Sequence, residues 1–412
     1  MMVLSRINRS LFIFLKNSEL FSARYNRIFS TSANTIDSID GQTDMHDTAA
    51  QSSTQSSHFW NKRIPIKVEE FKMQKELTPC QPVNPHLLKV SILGEPNVGK
   101  STLTNKLVKW KVCAVSKKVH TTRKKAAAIF VEDNKQIVFL DTPGFVTPEL
   151  IKKHHLEAAF VMDPRRSINE SDIVAVVVDI SNKWTNNRIN ENILEVLEEY
   201  RHKKSILILN KIDAMKSKGR LLSFTKILTC GTISGIENST EVSENVTSTE
   251  DLSDLESDEK NISNSAVTAS KSHKRGWPSF SKVFMVSALK NDGIDELRNY
   301  LLNEAHPGEW IYHSSTVTDQ HPHDIALLIL REKLLEYLPE EIPYKLDLRI
   351  TQWETLPTGS PEISVKIVCS NSRHKRFVIG PGGSHITNCV ERYRNALKEA
   401  FKKDILIHVV VA

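Results

Sequence analysis

Short apolar runs punctuate the chain at residues 87–93, 136–140, 173–180, 205–209 and 282–286, each bounded by polar or turn-forming residues, and read as strands. The run at 173–180 is almost unbroken and β-branched, as expected of a central parallel strand covered on both faces. Residues 126–132 and 136–140, joined at Asp133-Asn134, predict a hairpin. Helical spacing follows at 102–108, and Asn291-Asp292-Gly293 leads into a helix through Leu302. Beyond Pro307 the pattern changes. Ile325, Leu328, Ile329, Leu334 and Leu335 mark a helix over 324–338, and the stretch 339–343, bounded by prolines, breaks it. Residues 344–350 and 362–368 alternate like antiparallel strands, and a helix through Phe401 precedes a last strand at 405–411. The expected fold class is a doubly wound α/β domain over 87–308, followed by a smaller α+β domain over 309–412.

The 412 residues give room for two or three domains. With 40% hydrophobic and 25% charged residues, the chain is neither wholly disordered, collagen-like nor a membrane bundle. Its longest N-terminal apolar run, 11–15, is far short of the ~20 residues a membrane-spanning helix needs, so no span is predicted. Net charge is 55 − 49 = +6, which permits an anionic partner without demanding one. Five scattered cysteines with no C-x-x-C pair argue against a disulfide framework or a zinc site and for a reducing compartment.

Residues 1–35 form a separate object. Arg6, Arg9, Lys16, Arg24 and Arg27 stand against one acid, Glu19, amid six serines, the make-up of a mitochondrial transit peptide. Residues 36–86 then read as linker. Residues 241–260 hold eight acids and one lysine with few large apolar groups, so about 230–275 is expected to be a disordered surface insertion in the first domain.

Chemistry gathers at the ends of the strands. After 87–93 comes Gly94-Glu95-Pro96-Asn97-Val98-Gly99-Lys100-Ser101 in strand–loop–helix context. Gly94 and Gly99 let the backbone curl its N–H groups toward phosphate oxygens; Lys100 reaches the β- and γ-phosphates, and the Ser101 hydroxyl suits magnesium. The strand at 136–140 delivers Asp141-Thr142-Pro143-Gly144, where the carboxylate holds magnesium through water and the Gly144 amide senses the γ-phosphate. Asn210-Lys211-Ile212-Asp213 follows 205–209. A carboxylate at Asp213 accepts hydrogen bonds from guanine N1 and its amine, which adenine lacks, so GTP is favoured over ATP. Ser287-Ala288-Leu289 follows 282–286 and offers a backbone N–H to guanine O6. Thr122, within Thr121-Thr122-Arg123, occupies the place where a threonine closes on magnesium. Phe145 stands where many switches carry a water-orienting glutamine, so hydrolysis is expected to be slow or to use another group.

These motifs resemble those of translation-factor-related GTPases. The C-terminal order, with the Gly380-Pro381-Gly382-Gly383 loop after Arg373-His374-Lys375-Arg376, resembles a type II KH domain. In such a domain the glycines admit an RNA backbone, and Lys375 and Arg376 would neutralise its phosphates. Pro381 and Gly382 depart from the basic residue usual in that loop. The joint order, with Arg331-Glu332-Lys333-Leu334 and Ile342-Pro343-Tyr344, resembles the Era family over about 87–412.

That resemblance implies a GTPase using GTP/GDP and Mg2+, with Asn97 helping to hold K+, that binds small-subunit ribosomal RNA and assists assembly of that subunit. With the N-terminal segment it implies a monomer in the mitochondrial matrix, able to touch the inner membrane. Two other readings fit the same residues: a GTPase switch with a protein partner and no RNA, and, from Phe145, a slow or non-hydrolysing RNA-binding scaffold.

Overall fold

The computed structural model describes residues 62–115, 126–141, 164–182, 186–215, 217, 219–233, 236–237, 275–339, 342–357 and 360–412. The expected transit peptide at 1–35, Thr121 to Arg123, Thr142 to Phe145 and nearly all of the acidic insertion therefore lie outside the described residues.

In chain order the first part contains α1 (Val68–Glu76), β1 (His86–Leu93), α2 (Lys100–Val108), β2 (Ala126–Glu132), β3 (Lys135–Asp141), α3 (Pro164–Glu170), β4 (Ile173–Asp179), α4 (Glu191–Glu199), β5 (Lys204–Asn210), α5 (Arg220–Leu228), a small β6–β7 hairpin (Thr232–Ile233, Ile236–Glu237), β8 (Phe280–Val286), α6 (Ile294–Glu304) and β9 (His306–Pro307). The main sheet runs β2-β3-β1-β4-β5-β8; β9 adds to the start of β1. All neighbours from β3 to β8 are parallel; β2 is antiparallel to β3, as the hairpin pattern predicts, and the short β9 is antiparallel to β1.

Strand β4 explains why the domain is doubly wound. All seven of its residues are buried. Ile173, Ala175 and Val177 join one apolar cluster, with Leu103 of α2 and Leu297 of α6. Val174, Val176 and Val178 join another, with Ile193 and Leu197 of α4. Because a strand's side chains alternate faces, an unbroken apolar run requires helices on both sides.

The second part contains α7 (Pro322–Tyr337), β10 (Asp347–Thr355), β11 (Pro361–Val368), α8 (Ser372–Ile379), α9 (Ser384–Phe401) and β12 (Leu406–Val411). Its sheet is ordered β10-β11-β12, with β11 antiparallel to β10 and parallel to β12. One face is buried: Ile363, Val365 and Ile367 of β11 pack with Cys389, Tyr393, Ala396 and Leu397 of α9. This is the expected type II KH arrangement.

The basic run at 373–376, to which the sequence assigned no element, forms α8, capped where the Asn371 side chain accepts the His374 amide. One sequence expectation here needs correction. Residues 342–345 form a 3-10 turn, so the strand expected at 344–350 instead begins at Asp347.

The predicted linker at 36–86 also stops too late. From residue 62 the chain is packed: Ile64 and Ile66 are 1% and 6% exposed within the main core. Trp353 of β10 donates its indole N–H to Ile66 O at 2.8 Å, and Gln74 of α1 reaches Ser315 O at 3.1 Å. The predicted boundary at 308/309 lies too early. The Ile311 and Tyr312 amides both reach buried Gln136 Oε1 at 3.0 Å, Ile129 N donates to Val317 O at 2.8 Å, and Ala127 N donates to Asp319 Oδ1 at 2.8 Å. Residues 309–319 thus cover the open edge of β2 before the KH domain begins at α7.

The two domains meet at Glu332 of α7, which is 2% exposed. Its carboxylate accepts the Val115 amide at 2.8 Å, with Lys333 at 2.7 Å and Lys111 at 3.6 Å.

The packing of residues 62–66 is measurable. Ile66→Ala should cost about 2–4 kcal/mol in urea unfolding of the whole chain, the range of core truncations. A solvated linker position would change by under about 0.5 kcal/mol.

Candidate nucleotide and RNA sites

The loop between β1 and α2 is held in a shape few residues allow. Gly94, Asn97 and Gly99 have φ of 157°, 64° and 98°. A Cβ on Gly94 would lie 2.6 Å from Val177 O, and one on Gly99 would lie 2.4 Å from Asn210 Nδ2. Both glycines are therefore required by conformation and by space. The N-terminus of α2 begins immediately after Gly99, and its free N–H groups make the loop a cradle for anions. Lys100 is 8% exposed and folds back over this loop, its Nζ donating to Gly94 O at 2.9 Å and Glu95 O at 2.8 Å. Glu95 Oε1 accepts from Asn190 Nδ2 at 3.1 Å, which ties the loop to the cap of α4.

The carboxyl ends of β5 and β8 bring the second group together. Asn210, 1% exposed, donates Nδ2 to Val98 O at 2.8 Å and accepts the Ala288 amide on Oδ1 at 3.0 Å. Asp213 Oδ1 accepts from Ser287 Oγ at 2.5 Å, and Ser287 Oγ in turn accepts the Lys290 amide at 3.1 Å. Asp213 is exposed and oriented by Ser287. The turn closes through reciprocal Ser287 and Asp292 backbone bonds of 3.0 and 3.1 Å, and Leu289 is exposed at its tip.

Lys211 adds a contact that sequence reasoning missed. Its Nζ reaches Asp179 Oδ2 at 2.6 Å, while Asp179 Oδ1 accepts the Ser181 amide and hydroxyl at 2.9 and 2.6 Å. An aspartate closing the most apolar strand in the chain, just before a serine, was the available signal.

Asp141 ends β3 and pairs in register with Ile92 of β1, which brings the end of β3 beside the loop that carries Ser101. Ile212 lies in a single 3-10 turn leading from Lys211 to Asp213. Gly94, Asp141, Asn210 and Ser287 thus converge on one edge of the sheet, around β1, where the strand order reverses. The remaining expected members, Thr122, Thr142, Pro143 and Gly144, lie outside the described residues.

In the KH domain, Gly380 has φ 73°, and a Cβ there would lie 2.4 Å from the His385 ring, so this glycine is fixed by packing. Gly382 and Gly383 also have positive φ, and nothing crowds them. Pro381 and Gly382 are exposed at the loop tip; Lys375 and Arg376 project from α8 beside it.

A family model described as 50S ribosome-binding GTPase matches residues 89–211. GTPase Era, mitochondrial, of Salmo salar is 38% identical over 355 residues, covering 81% of this chain and 78% of its own. The protein of the same name from Caenorhabditis elegans is 30% identical over 367 residues, covering 82% and 92%. A solved structure of Era in complex with MgGDPNP and nucleotides 1506-1542 of 16S ribosomal RNA superposes with a TM-score of 0.60 at 24% identity, covering 79% of this chain and 93% of that one. With its P-loop GTPase domain and KH domain in that order, and relatives 30% and 38% identical over most of its length, the chain belongs to the Era family of GTP-hydrolysing enzymes.

Proposed function

We propose that this GTPase binds the ribosomal RNA of the mitochondrial small subunit through its KH domain and assists assembly of that subunit, with GTP hydrolysis timing its release. One observation carries the reading: a guanine-selective pocket and a Gly380–Gly383 loop flanked by exposed cations occur in the same compact unit. The relatives named mitochondrial Era support the compartment, together with the basic, serine-rich residues 1–35. The solved Era complex with a 16S RNA segment supports the partner.

The loop from Gly94 to Ser101 fits a nucleoside triphosphate, because its shape excludes any side chain at Gly94 or Gly99 and it ends at the N-terminus of α2, where an anion is favoured. In the assigned roles, Lys100 moves from the Gly94 and Glu95 carbonyls to the β- and γ-phosphates. Ser101, Asp141 and Thr122 hold magnesium, which when bound neutralises charge developing on the phosphates. Asp213 accepts from guanine N1 and its amine, Ala288 N–H meets O6, and Lys211 covers the base. Asn97 contributes to a K+ site. Phe145 cannot orient water, so another group performs that task and turnover is slow.

Asp213→Asn replaces an acceptor with a donor. GTP affinity should fall about 100-fold, the loss of two hydrogen bonds to a charged group, while xanthosine triphosphate binding should rise, as titration calorimetry can read. For the RNA, crosslinking in cells followed by sequencing should give reads concentrated on mitochondrial small-subunit rRNA, and Lys375→Glu/Arg376→Glu should abolish them. Reads at background in the unaltered protein would instead leave a GTPase with a protein partner.

A further inference from the structure

A second basic site lies apart from the Gly380–Gly383 loop and begins at Thr102, beside the nucleotide loop. Where the GTPase domain meets the KH domain, a cleft of about 670 Å³ is lined by five cations: Lys106 of α2, Lys109 at its C-cap, Lys111, Arg298 of α6, and Lys402 at the C-cap of α9. Against them stand two acids, Asp295 and Glu399, leaving 5 − 2 = +3.

Part of that charge has a structural use. Arg298 donates to Leu107 O at 3.0 Å and Lys106 O at 2.8 Å, satisfying the carbonyl end of α2, and pairs with Asp295; Lys111 shares Glu332 and Glu399, each at 3.6 Å. The end of a helix carries only about half a negative charge, which Arg298 already answers. Lys106, Lys109 and Lys402 are surplus to that need. Lys109 and Lys402 lie over aromatic rings, 5.8 Å from the Phe130 centroid and 5.4 Å from Trp110. Phe130 is further shared by Arg298 at 5.5 Å and Lys62 at 5.3 Å. Burial, and then the charge of Lys109, pushes Lys62 down to about 8. Such crowding of like charge in a folded protein signals a countercharge supplied from outside.

We propose that this interdomain cleft binds the phosphodiester backbone of the same RNA strand that the KH loop holds. The inference rests on the RNA-binding reading given above. The link between the two sites is α9. Its 18 residues span about 27 Å from the Gly383 cap to Lys402. Exposed Arg394, Lys398 and Lys402 follow one another at four-residue spacing along its second half, a basic row on one helix face that ends at the cleft, with Lys398 paired to Asp404 at 2.7 Å. The size of the cleft suits a strand segment better than a single phosphate, and half-buried Trp110 supplies a ring on which a base can stack.

The test compares two mixed-sequence RNA probes on the full chain over a salt series. A tetramer fills only the KH loop, which clamps about four nucleotides. A dodecamer, at about 3.4 Å per nucleotide, also reaches the cleft. Lys106→Glu/Lys402→Glu should weaken dodecamer binding at least about 10-fold and flatten its log–log salt slope by about 1.4, two single-strand contacts, with tetramer binding unchanged. Lys106→Gln/Lys402→Gln should show a smaller loss, and Lys106→Arg/Lys402→Arg should bind as the unaltered chain does. Unchanged GTP affinity and unfolding midpoint would establish that the variants are folded. Unaltered dodecamer affinity and slope in the Glu pair would overturn the cleft while leaving the KH reading intact. If the unaltered chain bound neither probe, both would fall.

Discussion

The carboxamide of Asn210 holds the catalytic end of this molecule together. It stands at the end of β5, sealed from solvent, and spends both of its polar ends on backbone: it donates to Val98 O in the phosphate loop and accepts from Ala288 N in the turn after β8. Three segments far apart in the chain are thereby fixed as one body. A buried amide left unsatisfied costs about 1–3 kcal/mol, so neither loop can drift without loss. The same contact explains the absence of a side chain at Gly99, since Asn210 occupies the space a Cβ would need. The phosphate loop and the guanine pocket are therefore organised in advance of any nucleotide, which places the entropic cost in folding rather than in binding.

What the sequence made legible follows from this economy. Phosphate loops, strand-end aspartates and base-reading turns demand particular residues at fixed offsets, so they stand out from a single chain. The doubly wound core was legible too, because the seven buried residues of β4 admit no other covering. Features that rest on one or two contacts were hidden. Ile64 and Ile66 are two apolar positions flanking a proline, too few to show a period, yet both reach the core. Helix α8 is basic on most of its surface and buries only Val378. The cover at 309–319 is held largely through backbone N–H and C=O groups, with single side chains such as Gln136 and Asp319 as their partners, and such pairings leave no periodic mark on the sequence.

The apolar core does not stop at the domain boundary. One cluster runs from Ile64 through Ile92 and Leu297 to Ile363 and Leu397. Glu332 lies at the junction, its charge answered by Lys111 and Lys333 while it grips the Val115 amide. A buried carboxylate is tolerated only with that full set of partners, and removing one is far costlier than the pair is worth. Val115 lies six residues before Thr121 in the chain, so the KH helix α7 fixes the backbone that leads toward the segment that sequence assigns to magnesium sensing.

The edge cover has a practical consequence for dissecting the protein. A cut at 308/309 looks natural on the sequence, but it would strip β2 of its Val317 and Asp319 partners and the Gln136 carboxamide of Ile311 and Tyr312. The amino-terminal fragment would then present a bare strand edge, the feature that drives chains to pair with one another. The carboxyl-terminal fragment would carry Glu332 without Lys111 or Val115. Neither half is a free-standing module at that point, and behaviour measured on such fragments would describe the wound as much as the domain.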